Sequence, residues 1–105
     1  MTRATIADLD PVIHQASRLR VMTLLFRNRQ LAVTNIRDTL AMTDGNVASH
    51  LSKLEAAGYV RTGRVLAGVT FEVHAKITDE GSAAFRTYLG HLRGLLGQAE
   101  EPGAA

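Results

Sequence analysis

The apolar and polar residues between positions 31 and 60 are spaced as in two short helices separated by a tight break. Thr34 is the predicted N-cap of the first helix, because its hydroxyl can accept from an unpaired amide at the helix start. Ile36 and Leu40 then lie on one face of that helix. The apolar spacing stops after them, and Thr43 is predicted to cap the start of a second helix.

The predicted second helix has two different faces. One is a narrow apolar stripe that has to be buried on a core, formed by Val47, Leu51 and Leu54. The adjoining stripe carries hydrogen-bonding side chains and no acid, namely Asn46, Ser49, His50 and Lys53. Gly58 is placed to end the helix as its C-terminal cap. A helix, a turn and a second helix with a polar outer face are the parts of a helix-turn-helix, whose second helix lies in the DNA major groove.

A central core helix is predicted upstream, over residues 17–28. Apolar side chains cover more than half of its circumference, so most of its surface has to be buried. Ser17 is its predicted N-cap, and Asp10 followed by Pro11 predicts a single helical turn before it.

An antiparallel hairpin is predicted downstream, from strands 59–65 and 70–77, with Gly68 in the connecting turn. The second strand alternates as a half-buried strand should, with one side formed by Phe71, Val73, Ala75 and Ile77. Residues 30–33 are extended enough to add a third strand to this hairpin.

The last predicted helix covers residues 78–97. Its apolar residues recur at intervals of three and four, like a coiled-coil seam, and are Phe85, Tyr88, Leu89, Leu92, Leu95 and Leu96. The core of a small winged-helix domain can cover only part of this seam. We therefore expect much of the seam to pack against a second copy of the chain. Residues 1–8 are expected to be a flexible arm and residues 98–105 a disordered tail, which leaves one domain over 9–97.

Several segments together resemble the small winged helix-turn-helix transcription regulators of the MarR/ArsR-like class. They are T-D-G-N-V at 43–47, H-L at 50–51, K-L-E at 53–55 and A-G-Y-V at 57–60, with R-L-R-V-M at 18–22 and I-T-D-E-G at 77–81. The resemblance covers roughly residues 9–96. It implies an α+β, mostly helical fold, with a short antiparallel sheet forming the wing and a C-terminal dimerisation helix.

The resemblance also implies a function, namely regulation of transcription by a homodimer bound to a pseudo-palindromic operator in double-stranded DNA, with repression favoured over activation. The residues expected to contact DNA are Thr43, Asn46, Ser49, His50, Lys53, Arg61 and Arg64. His50 either donates to a phosphate or packs at the edge of the apolar stripe. Arg61 and Arg64 either contact phosphates or are solvated strand arginines, since this wing has an apolar tip where the class usually has a basic one. Arg18 either contacts the DNA backbone or pairs with Asp10.

Composition agrees with this interpretation without proving it. The chain has 105 residues, 46% of them hydrophobic and 21% charged, as in one ordinary globular domain. Its net charge of +2 permits binding to nucleic acid, and ten of its twelve cations are Arg, which suits bidentate contacts to phosphate and guanine. The lack of cysteine excludes disulfides and thiolate metal sites, which fits a reducing cytoplasm. No apolar run approaches the ~20 residues of a membrane-spanning helix.

Other function classes have less support. No nucleophile motif or glycine-rich phosphate loop is present, so an enzyme is not expected and no cofactor is predicted. The four histidines lack metal-ligand spacing, which leaves only a site shared between subunits through His14 or His91. An unidentified small-molecule effector could bind between the last helix and the body. The alternative function is a winged-helix module that binds a protein through its outward helix face.

Overall fold

A computed structural model describes residues 8–101 as four helices and a three-stranded sheet. The elements in chain order are α1 (Ala16–Asn28), β1 (Gln30–Ala32), α2 (Val33–Thr39), α3 (Asp44–Ala56), β2 (Val60–Ala67), β3 (Thr70–Ile77) and α4 (Asp79–Glu100). The predicted α+β architecture is confirmed. Most of the predicted arm, and the end of the predicted tail, lie outside the described residues. Residues 98–100 are helical, so the prediction of a disordered tail from residue 98 is wrong there.

The sheet is antiparallel, with the order β1-β3-β2. β2 and β3 pair along their whole length, from Val60 opposite Ile77 to Ala67 opposite Thr70. Gly68 has a positive φ of 64° in the two-residue connection, as its position in the sequence predicts. β1 adds the predicted third strand and pairs with the base of β3 only. The distal half of the hairpin therefore extends beyond the three-stranded part as a two-stranded wing.

The core lies where α1, α2 and α3 meet the base of the sheet and the first half of α4. Its fully buried large side chains are Ile13, Val21, Met22, Leu25, Ile36, Val47, Leu54, Val60 and Tyr88. α1 is the central helix of this core, as its wide apolar surface predicts. The apolar stripe predicted on α3 is buried as expected.

Two predicted N-caps are wrong. Gln15 caps α1, because its side-chain oxygen accepts from the backbone N–H of Arg18 at 2.8 Å and the helix begins before Ser17. α2 begins at Val33 directly after β1, with Ala32 as an N-cap residue that makes no side-chain hydrogen bond, so Thr34 lies inside the helix. In both places the N-cap lies two residues before the hydroxyl residue that was predicted to be the cap.

The outcome for α4 corrects the predicted dimerisation seam. Phe85 and Tyr88 are buried in their own subunit, because α1 and the N-terminal turn cover this face. The Phe85 ring lies 4.9 Å from that of Phe26, and the Tyr88 hydroxyl is hydrogen-bonded to Nδ1 of His14 at 2.8 Å. The apolar surface that the core of the same subunit does not cover is at the other end of the seam. There Leu89, Leu92 and Leu95 are half-buried and Leu96 is 54% exposed.

The connection from α3 to β2 is held against the start of α4. Gly58 has a φ of 81°, and the amides of Gly58 and Tyr59 donate back to the carbonyls of Glu55 and Leu54, which is the Schellman ending of a helix. Thr78 then joins the two segments, since its amide donates to the Tyr59 carbonyl and its hydroxyl to the Gly58 carbonyl. This arrangement fixes the direction of α4 relative to α3.

Candidate nucleic-acid interface

The start of α3 is fixed by contacts on both sides of the helix-turn-helix break. Ala41 makes the break with a left-handed φ of 53°. Thr43 caps α3 as predicted, accepting from the Asn46 amide at 3.1 Å. Arg37 of α2 crosses the break and pairs with Asp44 at 2.8 Å. Its hydrogen bonds to Asp38 and, to a smaller extent, to Asp44 raise the pKa of Arg37. These contacts set the angle between the two helices.

The polar stripe of α3 lies on the outside of the molecule. Asn46, Ser49 and Lys53 are exposed and His50 is half-buried, while the neighbouring apolar stripe is packed in the core. The buried stripe prevents α3 from rotating, so the polar stripe has one orientation. Its donors and acceptors are of the types that contact base edges and phosphates.

His50 lies beside a second cation contributed by α1. Its Nδ1 is 3.5 Å from Nη1 of Arg18, whose Nε donates to the Val12 carbonyl at 2.6 Å. Burial lowers the pKa of His50, and the charges of Arg18 and Lys53 lower it further. A guanidinium has no acceptor, so in this contact the imidazole Nδ1 accepts, which requires it to be unprotonated. Arg18, His50 and Lys53 thus lie together at the edge of the polar stripe.

The two arginines predicted on the wing lie on opposite faces of it. Arg61 pairs with Lys76 in the register, whereas Arg64 pairs with Val73, and an odd separation along a strand reverses the side-chain direction. Thr62 and Val73 line the groove between the wing and α3, so Arg64 is on the α3 side and Arg61 is on the other. Both are exposed, but only Arg64 continues the surface that carries the polar stripe.

The prediction of a half-buried second strand holds only for its base. Ala75 and Ile77 are buried, but Val73 is 50% exposed and Phe71 is 59% exposed. Leu66, opposite Phe71, is 64% exposed as well. The alternation is present, yet no element within residues 8–101 covers this face of the wing beyond its base.

Residues 8–101 contain neither a cluster of metal-binding side chains nor a membrane-spanning helix. In this part of the chain, no three His, Cys, Asp or Glu side chains are close enough to share a metal ion. Within the same range, no helix combines the length and hydropathy needed to cross a membrane.

Comparison with known proteins identifies the family. The sequence profile described as "Winged helix DNA-binding domain" matches residues 17–96, which include α1, the helix-turn-helix, the wing and most of α4. The chain belongs to the winged-helix DNA-binding family. The polar stripe on α3 is therefore on the recognition helix of a winged-helix protein, and the hairpin is its wing. The family consists of transcriptional regulators rather than enzymes.

The relatives of this winged-helix protein include two archaeal proteins. It is 30% identical over 78 residues to an uncharacterized protein of Methanocaldococcus jannaschii, covering 74% of this chain and 85% of that one. The structure of a transcriptional regulator homologue from Pyrococcus horikoshii is similar with a TM-score of 0.81 and 28% identity, over 86% of this chain and 89% of that chain. The antimony-specific transcriptional repressor AntR is similar with a TM-score of 0.62 and 26% identity, over 85% and 74% of the two chains. The structural neighbours are MarR/ArsR-like regulators, so the resemblance stated from the sequence is confirmed.

Two features of this winged-helix surface have no signal in the sequence. Arg18 meets His50 across 32 residues of chain, and no local pattern predicts that contact. Arg37 pairs with Asp44 across the break, and their separation of seven residues is not one that brings side chains into contact within a single helix. Both depend on how the helices cross.

Proposed function

We propose that this winged-helix protein is a sequence-specific transcriptional repressor that acts as a homodimer on a pseudo-palindromic operator. The observation that carries the proposal is the exposed polar stripe of α3, held outward by a fully packed apolar stripe on the same helix. In the dimer, each recognition helix enters a major groove, and the half-sites are about one helical turn, ~34 Å, apart. The likeness to an antimony-specific repressor supports repression.

The roles proposed for the stripe follow from the chemistry of its side chains. Asn46 and Ser49 are assigned to base edges, because amide and hydroxyl groups both donate and accept. Lys53 is assigned to a phosphate, and His50 to a phosphate shared with Arg18. Thr43 leaves free amides at the helix N-terminus, where the helix dipole favours a phosphate. On the wing, Arg64 is assigned to a phosphate of the flanking backbone, whereas Arg61, on the face turned away from α3, is assigned the other role that the sequence left open, a solvated strand arginine.

The proposed dimer contact is the second half of α4. This helix has 22 residues, or about 33 Å of length, and its last turns carry Leu92, Leu95 and Leu96. Leu96 is 54% exposed and the other two are half-buried, so a second copy of the same helix could cover them. Leu89 belongs to the same contact. Phe85 and Tyr88 are not part of this contact, but they hold the first half of α4 on the core of its own subunit.

A small-molecule effector is part of the proposal, and its site is the cleft of about 550 Å3 between the N-terminal turn and α4. Asp10, Tyr59, Tyr88 and His91 are among its lining residues. The Tyr59 hydroxyl donates to the Asp10 carboxylate, and Tyr59 directly follows the end of the recognition helix. A ligand there would contact residues that position both α3 and α4.

The test compares two substitutions on α3 in duplex-binding titrations at several salt concentrations. Lys53→Ala should weaken binding to every sequence and reduce the salt slope by about one, because one phosphate contact is lost. Asn46→Ala should relax the preference at one base pair, by about 1–3 kcal/mol. Lys76→Ala is the matched control, since the chain has only two lysines and Lys76 lies on the wing face that points away from α3.

Two results would count against the proposal. Equal and sequence-independent losses from Lys53→Ala and Asn46→Ala would remove the base-reading role of the stripe. Binding with no salt dependence, or no binding to any duplex, would favour the alternative in which this face of α3 binds a protein.

A further inference from the structure

One face of the wing is apolar and uncovered over its distal half. Residues that pair across β2 and β3 point to the same side, and here the pairs are Thr62 with Ala75, Arg64 with Val73, and Leu66 with Phe71. The face begins in the core at Val60 and Ile77 and ends in solvent at Leu66 and Phe71, both more than half exposed. Exposed apolar surface of this kind, bordered by polar residues, marks an interaction site.

The apolar face is turned toward the recognition helix. At its base, the Thr62 hydroxyl donates to Oε1 of Glu55 on α3 at 2.5 Å. Leu66 is four residues further along β2, which places it ~13 Å beyond that contact. A duplex that holds α3 in its major groove presents the adjacent minor groove about half a turn, or ~17 Å, away along its axis. With the length of its side chains added, the wing tip extends over a distance comparable to that separation.

The charge on this face is positive, which suits the phosphates of a duplex held by the adjacent recognition helix. Residues 60–77 are all described, and within them Arg64 is the one charged residue whose side chain is on this face. Its guanidinium lies over the Phe71 ring, 4.9 Å from the ring centre. The ring is thus held beside a cation that is free to meet a phosphate at the edge of the groove.

We propose that Leu66 and Phe71 form a minor-groove wedge that partly unstacks one base step and bends the duplex toward the major groove. Apolar side chains inserted in this way kink DNA and allow it to contact more of the protein. The inference rests on the proposed function, but it goes beyond the contacts assigned there. On this proposal, the apolar tip, which replaces the usual basic one, favours operators whose base step at that position is easily unstacked.

The experiment uses the full chain and a 30-base-pair duplex recovered from a randomised pool on the immobilised protein. End-to-end fluorescence energy transfer reports bending, and 2-aminopurine placed at successive steps reports unstacking. Leu66→Ala and Phe71→Ala are compared with Val65→Ala, which removes apolar surface from the neighbouring residue on the opposite face. Circular dichroism confirms that each variant is folded.

The wild-type protein is expected to bend the duplex and to raise 2-aminopurine fluorescence at one step about half a turn from the major-groove site. Phe71→Ala should abolish the rise and weaken binding at least about fivefold, the lower end of what a stacked aromatic side chain contributes per base. Leu66→Ala should reduce the bend, and Val65→Ala should change neither readout.

Salt-dependent binding of an unbent, fully stacked duplex by the wild type would overturn the wedge while leaving the proposed function intact. Loss of self-association in Leu66→Ala and Phe71→Ala, seen by analytical ultracentrifugation with DNA bending unchanged, would instead make this face a contact between copies. Recovery of no duplex from the pool would refute the proposed function and the wedge together.

Discussion

Replacing Gly81 by alanine tests whether the start of α4 is locked against the chain that follows the recognition helix. A Cβ at Gly81 would lie 2.1 Å from the Tyr59 carbonyl oxygen and within 3 Å of two further backbone atoms of Tyr59. That carbonyl also accepts from the Thr78 amide at 3.0 Å. Because the obstructing atoms are backbone atoms held by hydrogen bonds, they cannot be displaced by a side-chain rotation.

The magnitude follows from two opposing effects. Alanine is favoured over glycine in a helix by up to about 1 kcal/mol. Overpacking a close contact typically destabilises by about 1–3 kcal/mol, and sometimes more. For Gly81→Ala we expect the clash to outweigh the helical preference, since a separation of 2.1 Å is far below any normal contact. Subtracting the first effect from the second leaves about 0–2 kcal/mol, and the severity of this clash places the expected destabilisation at the upper end, about 2 kcal/mol or more.

Urea denaturation followed by circular dichroism measures the change in the free energy of unfolding. Gly90→Ala is the matched control, because it lies in the same helix and a Cβ there would meet nothing within 4 Å. It should leave stability unchanged or raise it, and measurements at several protein concentrations separate any effect on self-association. If Gly81→Ala were as stable as Gly90→Ala, the argument that α4 is locked at Tyr59 would be refuted. A stable Gly81→Ala variant that binds duplex normally would also show that the contact between Gly81 and Tyr59 is not needed to hold α4 in its direction relative to α3.

Three further predictions concern the buried and exposed parts of α4 and the titration of Tyr59. Phe85→Ala should lower the free energy of unfolding of the isolated subunit by about 3–5 kcal/mol, since Phe85 is a core residue. Leu96→Asp should instead abolish the proposed self-association in analytical ultracentrifugation and leave the stability of the subunit nearly unchanged. Wild-type stability of Phe85→Ala, or self-association of Leu96→Asp at the wild-type level, would contradict this division of α4. The hydrogen bond to Asp10, with burial and nearby acids, raises the pKa of Tyr59 to about 12, above the ordinary value of ~10. A raised folded-state pKa means that the stabilisation is complete below about pH 10 and is lost as the pH rises toward 12. Burial also raises the pKa of Tyr88, the other tyrosine of the chain. Ultraviolet titration of Asp10→Asn should therefore show one of the two late ionisations moved to lower pH, and a titration identical to that of the wild type would argue against the Asp10 contact.

Local patterning was enough to predict the elements whose two faces differ within a few residues. α3 was predictable with its cap at Thr43, its buried stripe and its polar stripe, because helical periodicity places each residue on a face wherever the helix packs. The same reasoning gave the Gly58 ending and the strand at Thr70–Ile77. It failed for the caps at Ser17 and Thr34, where the preceding turn and strand decided the helix start.

Which apolar faces are covered depends on how elements distant in the chain pack together. Periodicity shows that Phe85 and Leu96 share a seam, but α1 buries the first and leaves the second exposed. Alternation shows that Phe71 and Ile77 share a face, but the core that buries Ile77 does not extend to Phe71 on the wing. The contact of Arg18 with His50 likewise requires α1 and α3 to cross at one place. A local pattern records the direction of each side chain, whereas what lies in that direction depends on segments distant in the chain.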